Sequence, residues 1–341
     1  MRGHSAIALH DDYIRMKVVA YSIKNFEKEF LAKANQKKHD ITLISNPLSL
    51  ETAAYAEGKD AVVVFLNDDL SAPVIDRLAD LGIKFITTRS SGTDHIDATA
   101  ALRRNIQVSN IPAYASQAIA ELTLTLALAL SRKLIPTVDQ SRNFDFTIEN
   151  HIGFNLHGKT VGIIGLGHAG VATASIFKGI GCKVLGYDPS ALTKTALLKR
   201  VSFETLLNES DIISLHVPLN SENHHFINKQ IFELMKNGVM LLNTSCGRLI
   251  KTEDMAVALR SGKIGYLGLD VYENEQNLFF ADHSHDAVKD PLLESLMHFP
   301  NVIITPHQAF LTHEALQDVA SQTILNLDNW QKIKQNGKVC A

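Results

Sequence analysis

Gly165-Leu166-Gly167-His168-Ala169-Gly170 closes the apolar run Thr160-Val161-Gly162-Ile163-Ile164, and a second apolar run, Lys183-Val184-Leu185-Gly186-Tyr187, ends in Asp188. A strand, a Gly-x-Gly-x-x-Gly turn, a helix and a strand ending in an acid form a dinucleotide-binding fingerprint. The first glycine permits the tight turn, and the second lets a pyrophosphate approach the backbone. The third lets helix and strand pack closely, while the helix N-terminus supplies amide donors and partial positive charge. Asp188 stands 18 residues after Gly170, where a carboxylate can accept both hydroxyls of an adenosine ribose. It would repel the additional phosphate of NADP, so the residues point to NAD.

The elements that must carry this turn follow from the hydrophobic pattern. Short β-branched runs at residues 18–21, 40–44, 61–65, 85–88 and 107–109 alternate with segments of helical spacing such as 23–35 and 72–81. A long helical segment spans 115–132, and a polar stretch leads to Gly158. The alternation then restarts, with strands expected at 161–164, 184–187, 212–215, 240–243, 266–269 and 302–305, and a final helix from Leu311 to about Lys334. Two such series imply an α/β protein of two Rossmann-like, doubly wound parallel-sheet domains with an active-site cleft between them. The expected division is a leader or extension over 1–15, a substrate domain over 16–113 plus 311–341, and an NAD-binding domain over 114–310. Met16 reads as the native start.

Composition narrows the function. The chain has 341 residues, 45% hydrophobic and 20% charged, and a net charge of -3 that argues against a nucleic-acid partner. Cys182, Cys246 and Cys340 are odd in number and lack Cys-x-x-Cys spacing, so neither a disulfide framework nor a zinc ribbon is expected. The apolar stretch 122–130 is broken by Thr123 and Thr125 and is far short of a membrane span. No apolar signal-peptide core opens the chain, which leaves a cytoplasmic enzyme as the expectation. His224-His225 and His283-Ser284-His285 have metal-like spacing, but no acid or cysteine pattern accompanies them, so they read as solvated loops and no metal is expected.

Ligands of open α/β sheets bind beyond the carboxyl ends of the strands. The polar segments there are Arg89-Ser90-Ser91-Gly92, Pro112-Ala113-Tyr114, His216-Val217-Pro218, Asn243-Thr244-Ser245-Cys246-Gly247-Arg248, Asp270-Val271-Tyr272-Glu273-Asn274-Glu275 and Thr305-Pro306-His307-Gln308. Together with Leu278-Phe279-Phe280 and His307-Gln308-Ala309-Phe310-Leu311-Thr312, they resemble the D-isomer-specific 2-hydroxyacid dehydrogenases, within them the NAD-dependent fermentative D-lactate branch. The resemblance runs from Met16 to about Asn336.

That resemblance implies hydride transfer between NADH and a small 2-keto acid such as pyruvate, giving D-lactate. His307 would protonate the substrate oxygen and Glu275 would orient it. The chemistry is reasonable in itself, because reduction of a keto acid needs a proton for the developing alkoxide and imidazole supplies one near neutral pH. Gly165, Gly167, His168, Ala169, Gly170, Asp188, Val217, Pro218, Asn223, Thr244 and Ser245 would line the cofactor, with Asp270 facing the nicotinamide carboxamide. Ser91 and Gly92 would hold the substrate carboxylate through their amides, and Tyr114 would close the pocket. Phe65 is a further candidate for its border. A homodimer or larger homo-oligomer built through the cofactor domain is also implied.

One position departs from the pattern. The family carries a catalytic arginine in Asn-x-Ser-Arg-Gly, and here Cys246 occupies that place with no change in length; Lys251 stands where an acid is usual. The arginine would make charge-assisted bonds that align the keto acid, whereas a thiol offers one weak donor. The sequence leaves three readings open: impaired catalysis, substitution by Arg248, whose side chain shares a face with residue 246 in extended backbone, or an altered activity. The alternatives are an NAD(H)-binding pseudoenzyme or regulatory protein, or a dehydrogenase of a bulkier D-2-hydroxy acid.

Overall fold

The computed structural model describes residues 15–112, 115–190, 197–276, 278–286 and 290–335. Expectations that fall on residues 1–14, Tyr114 and Cys340 lie outside them. The described chain divides into two units. One runs to Pro112 and resumes at Leu316; the other ends at Ala315.

In the first unit the strands are β1 (Lys17–Ala20), β2 (Asp40–Leu43), β3 (Ala61–Val64), β4 (Phe85–Thr88) and β5 (Gln107–Ser109), joined through helices α1 (Asn25–Asn35), α2 (Ala72–Asp80) and α3 (Ala98–Arg103). The sheet order is β2-β1-β3-β4-β5, parallel throughout. β3 and β4 are buried at every position, as expected of parallel strands covered on both faces, and β3 (Ala-Val-Val-Val) is a continuous apolar run. Beneath the sheet, Phe85 stacks on Trp330 at 4.9 Å.

The second unit begins with α4 (Ser116–Ser131) and α5 (Leu134–Arg142). It continues through β6 (Thr160–Ile164), α6 (His168–Gly179), β7 (Lys183–Tyr187), β8 (Lys199–Arg200), α7 (Phe203–Glu209), β9 (Ile212–Leu215), α8 (Lys229–Leu234), β10 (Val239–Asn243), α9 (Thr252–Arg260), β11 (Ile264–Leu269), α10 (Pro291–Met297) and β12 (Val302–Ile304). α11 (His313–Gln335) closes the described chain. The sheet reads β12-β11-β10-β9-β6-β7-β8, again parallel. After β6 the chain builds outward on one side through β7, then returns to the other side at β9. The crevice at that reversal is where such sheets bind dinucleotides.

Two elements escaped the pattern. α5 lies in the stretch expected to be polar; it buries none of its residues, its apolar Leu134, Ile135 and Val138 being exposed, and Pro136 fits its first turn because the amide there has no partner to lose. β8 is a two-residue edge strand, Lys-Arg, too short and too charged to signal. Among the described residues no helix is long and apolar enough to cross a membrane.

Candidate active site

The glycine turn is built by close approach. Gly165 has φ +96, and a Cβ on it would meet the His216 carbonyl at 2.4 Å. A Cβ on Gly170 would meet the Gly165 carbonyl at 2.0 Å, so side chains are excluded at both positions. Gly167 differs: its Cβ would enter open space, and it caps α6 without offering a side chain. Here an anion can reach the first-turn amides of α6. His168 is exposed and Ala169 half-buried beside it. The residues present therefore fit a dinucleotide pyrophosphate.

Asp188 ends β7 beside this turn. Its carboxylate accepts from the Leu166 and Ser190 amides, each at 2.8 Å, which fixes it while lone pairs remain for a ribose. Moving along the strand ends in sheet order, one meets Asp188, the glycine turn, Val217-Pro218, Thr244-Ser245 and Asp270. Adjacent strands lie roughly 4.8 Å apart, so this row spans about 19 Å, room for an extended dinucleotide. Ser245 Oγ donates to the Val217 carbonyl at 2.6 Å, Asn223 Nδ2 donates to the Pro218 carbonyl at 2.7 Å, and Thr244 and Thr123 share a hydroxyl bond of 2.9 Å. Beneath the row His216 is buried; its Nε2 pairs with Ser214 Oγ at 2.8 Å, and burial pushes the imidazole down to about 4.

His307 follows the edge strand β12 in left-handed backbone, φ 53. Its Nδ1 meets Glu275 Oε1 at 2.9 Å, and Glu275 Oε2 accepts from the Tyr272 amide at 3.0 Å. The carboxylate therefore holds Nδ1–H and leaves Nε2 to carry a transferable proton. Phe280, itself at φ 68, tilts its ring over the imidazole at 5.8 Å. Sequence reasoning missed what holds this turn. Asp270 is fully buried and accepts from Thr305 Oγ1 at 2.5 Å and from the Gln308 and Ala309 amides at 2.9 and 2.8 Å. Its carbonyl also accepts from the His307 amide at 2.7 Å. Burial raises the Asp270 carboxyl against the lowering effect of those bonds. Its described partners lie on the turn that carries the histidine; no pattern in the sequence signals that pairing.

Cys246 is half-buried against the core, in extended backbone at φ -145 and ψ 133. Gly247–Leu249 then turns into a single 3-10 turn, and Arg248 is exposed. The alternation that would put residues 246 and 248 on one face requires extended chain through Gly247, so that geometric basis for substitution by Arg248 is removed. His225 is a second correction. It does not stand free in a solvated loop but pairs through Nε2 with Glu273 Oε1; the partner lies 48 residues away, beyond the reach of local spacing. His283 likewise pairs with Asp286 at 2.6 Å.

In the first unit Ser91 is exposed and Gly92 half-buried in the turn after β4. Ser90 Oγ donates to the Gly92 carbonyl at 2.8 Å, and Asn110 Nδ2 to the Ser91 carbonyl at 2.7 Å. Arg89, 1% exposed, anchors the approach to the turn: its Nε meets Glu27 at 2.9 Å, and its terminal nitrogens donate to the Tyr21 and Ser22 carbonyls. Phe65 is buried under the Arg89 guanidinium at 5.3 Å.

Comparison with known proteins agrees with this architecture. Residues 124–309 match the model of the D-isomer specific 2-hydroxyacid dehydrogenase NAD binding domain. A D-lactate dehydrogenase of Escherichia coli strain K12 is 41% identical over 95% of this chain and 98% of its own length. One from Curvularia clavata is 43% identical over 93% of each. Among solved structures, a pyruvate reductase of Chlamydomonas reinhardtii superposes with a TM-score of 0.85 at 38% identity, covering 93% of this chain and 96% of the other. A strand-end row fit for a dinucleotide, a histidine–glutamate pair and similarity over nearly the whole length lead to one conclusion: the chain belongs to the D-isomer specific 2-hydroxyacid dehydrogenases, as an NAD-dependent oxidoreductase.

Proposed function

We propose that this protein is a D-lactate dehydrogenase that interconverts pyruvate and D-lactate, with a rate lowered by Cys246. The observation that carries the reading is the 2.9 Å bond between His307 Nδ1 and Glu275, because it readies Nε2 as the acid for a 2-keto oxygen. Bound NADH supplies the hydride that goes to C2 of the keto acid. His307 Nε2 delivers the proton to the oxygen as negative charge develops there, and Glu275 stabilises the imidazolium before the transfer. In the reverse direction the neutral imidazole takes the hydroxyl proton. Asp188 and the α6 amides hold the adenosine half of the cofactor. Ser91, Gly92 and Tyr114 are assigned to the substrate by resemblance.

Position 246 sets the rate. Loss of one preorganised donor in comparable sites costs about 10²–10³ in turnover. NADH oxidation with pyruvate, run on this chain and on Cys246→Arg, tests the reading. A gain of about 10² in kcat/KM, worth about 2.7 kcal/mol, supports an impaired dehydrogenase. A brisk parent that gains nothing overturns the role given to position 246. Tight NADH binding with no turnover in either form instead identifies a binding protein, the rival that Cys246 makes less remote; a panel of longer 2-keto acids tests for a bulkier substrate.

We also propose a homodimer through the second unit. Leu134, Ile135, Phe144, Phe146, Ile148 and Ile152 are exposed within one short span, Phe144 at 87%, and apolar exposure of that density marks an association surface. Sedimentation showing a monomer at micromolar concentration would sink the assignment. Three cysteines without the even count or spacing of a disulfide framework suit a reducing, cytoplasmic location.

A further inference from the structure

The loop that carries position 246 and the loop that carries Glu275 are fastened together by groups that touch neither cofactor nor substrate in the scheme above. Glu273 uses both oxygens: Oε1 pairs with His225 Nε2, and Oε2 accepts from the Thr252 amide at 2.9 Å. His225 adopts φ 55, and its amide donates to the Arg248 carbonyl at 2.9 Å. Two residues on, Ile227 bridges Ile250: its amide donates to the Leu249 carbonyl at 3.0 Å and its carbonyl accepts from Lys251 at 2.9 Å. Gly247 lies so close to the Tyr272–Glu273 backbone that a Cβ would come within 2.0 Å of the Tyr272 carbonyl carbon. Residues 246–252 are thus held on one side by 225–227 and on the other by 272–273. Two residues beyond Glu273 stands Glu275, whose second oxygen is tied to the Tyr272 amide.

We propose that His225 and Glu273 are a positioning pair that locks the segment carrying residue 246 to the loop carrying Glu275, so that position 246 and the His307–Glu275 acid keep a fixed register. Glu273 is 14% exposed at its side chain and His225 29%, so water competes weakly for the contact. Burial works against the Glu273 charge, but the Thr252 bonds and His225 outweigh it and hold the carboxyl below its ordinary range. A charged carboxylate is the form that accepts both bonds. The seat around residue 246 is otherwise kept for a side chain that must point reproducibly: Asn243 Nδ2 holds the Cys246 carbonyl at 2.8 Å. The lock has its largest effect when residue 246 is an arginine whose planar fork needs exact aim, and its smallest when it is cysteine.

This inference rests on the dehydrogenase reading, so the experiment separates the two. Glu273→Gln has one acceptor oxygen in place of two and must release His225 or Thr252. It is made in the parent and in the Cys246→Arg chain, and NADH oxidation with pyruvate is measured in all four proteins. In the arginine background Glu273→Gln should lower kcat/KM about 10-fold, mostly through a higher KM for pyruvate, because misplaced positioning groups cost rate steeply. In the parent the loss should stay within about twofold, a coupling between 246 and 273 that independent sites do not show. His225→Ala should match Glu273→Gln, and His225→Gln, which keeps a donor at the end of the side chain, should recover most of the loss. Equal losses in both backgrounds overturn the proposal. Amide exchange reads the lock without catalysis: in the parent chain, Glu273→Gln should deprotect 246–252 and 271–275 together. Unchanged protection overturns the lock even if Cys246→Arg restores turnover, whereas joint deprotection with no turnover in any form leaves the lock standing and refutes the dehydrogenase reading.

Discussion

His216 makes the stability of the second unit depend on pH in a calculable way. The imidazole is buried at the end of β9, one nitrogen on Ser214 and the other, Nδ1, with no hydrogen-bond partner, and burial takes it from 6.5 to about 4. The folded pKa lies below the unfolded one, so between pH 6.5 and 4 the unfolded chain binds a proton that the folded chain refuses. Stability therefore rises with pH across that window and falls as acid is added. Integrating the linkage gives a loss of about 2 kcal/mol at pH 5 and about 3 kcal/mol at pH 4, and almost none at pH 7.5. The perturbation is His216→Gln, which retains a donor for Ser214 and does not titrate. Urea unfolding should be followed by far-UV circular dichroism, because the only tryptophan, Trp330, lies in the other unit. Any packing cost of the substitution is constant with pH and cancels in the comparison. Relative to the parent, the variant should gain about 2 kcal/mol between pH 7.5 and pH 5. A difference that stays constant across those two conditions refutes the claim that this imidazole is kept neutral by burial.

The glycine turn separates fold from binding. Gly167→Ala points into open space, so it should leave the melting temperature unchanged while weakening NADH at least about 10-fold, since the pyrophosphate must approach that backbone; Gly170→Ala, driven into the Gly165 carbonyl, should lower both. Arg89→Met strands the 7%-exposed Glu27 and two buried carbonyls. It should cost the first unit about 3–5 kcal/mol, read from Trp330 fluorescence in urea. Glu275→Gln should cut kcat by about 10²–10⁴ with NADH affinity intact, the range that general acid catalysis supplies; stopped-flow NADH oxidation beside a fluorescence titration checks both halves.

How much of this was legible depended on how far apart the cooperating residues lie. Apart from β8, the strands of both sheets could be read because a parallel strand buried on both faces is rich in apolar residues, as in Ala61–Val64 and residues 239–242. The glycine turn and Asp188 could be read because a single βαβ unit contains them. The histidine–glutamate pair could be named only through resemblance, since 32 residues separate its members and neither has a local signature. The supports beneath the site could not be read at all. Asp270 looks like any acid ending a strand until the chain returns at Thr305 to meet it, and His225 looks like half of a solvated histidine pair until Glu273 is folded against it. Local spacing encodes elements, while these contacts exist only after strands distant in sequence have paired: β11 with β12 for Asp270, and β9, β10 and β11 for His225 and Glu273.

The same distinction explains why Cys246 is consequential without being disruptive. A small thiol stands where the resembled family carries a large charged side chain, yet the backbone around it is held by groups that do not depend on which side chain residue 246 bears: Asn243 on its carbonyl, the close seat of Gly247 on Tyr272, and Thr252 on Glu273. The fold therefore depends little on the side chain at 246, and under the proposed function the loss falls on the substrate, whose carboxylate and carbonyl the arginine of the resembled family would hold. A site whose scaffold survives the loss of one reacting group should recover function when that group is returned, without further redesign. Restoration by Cys246→Arg alone is thus expected from the loop geometry as much as from the chemistry, and a variant that folds, binds NADH and still fails to turn over refutes the dehydrogenase reading.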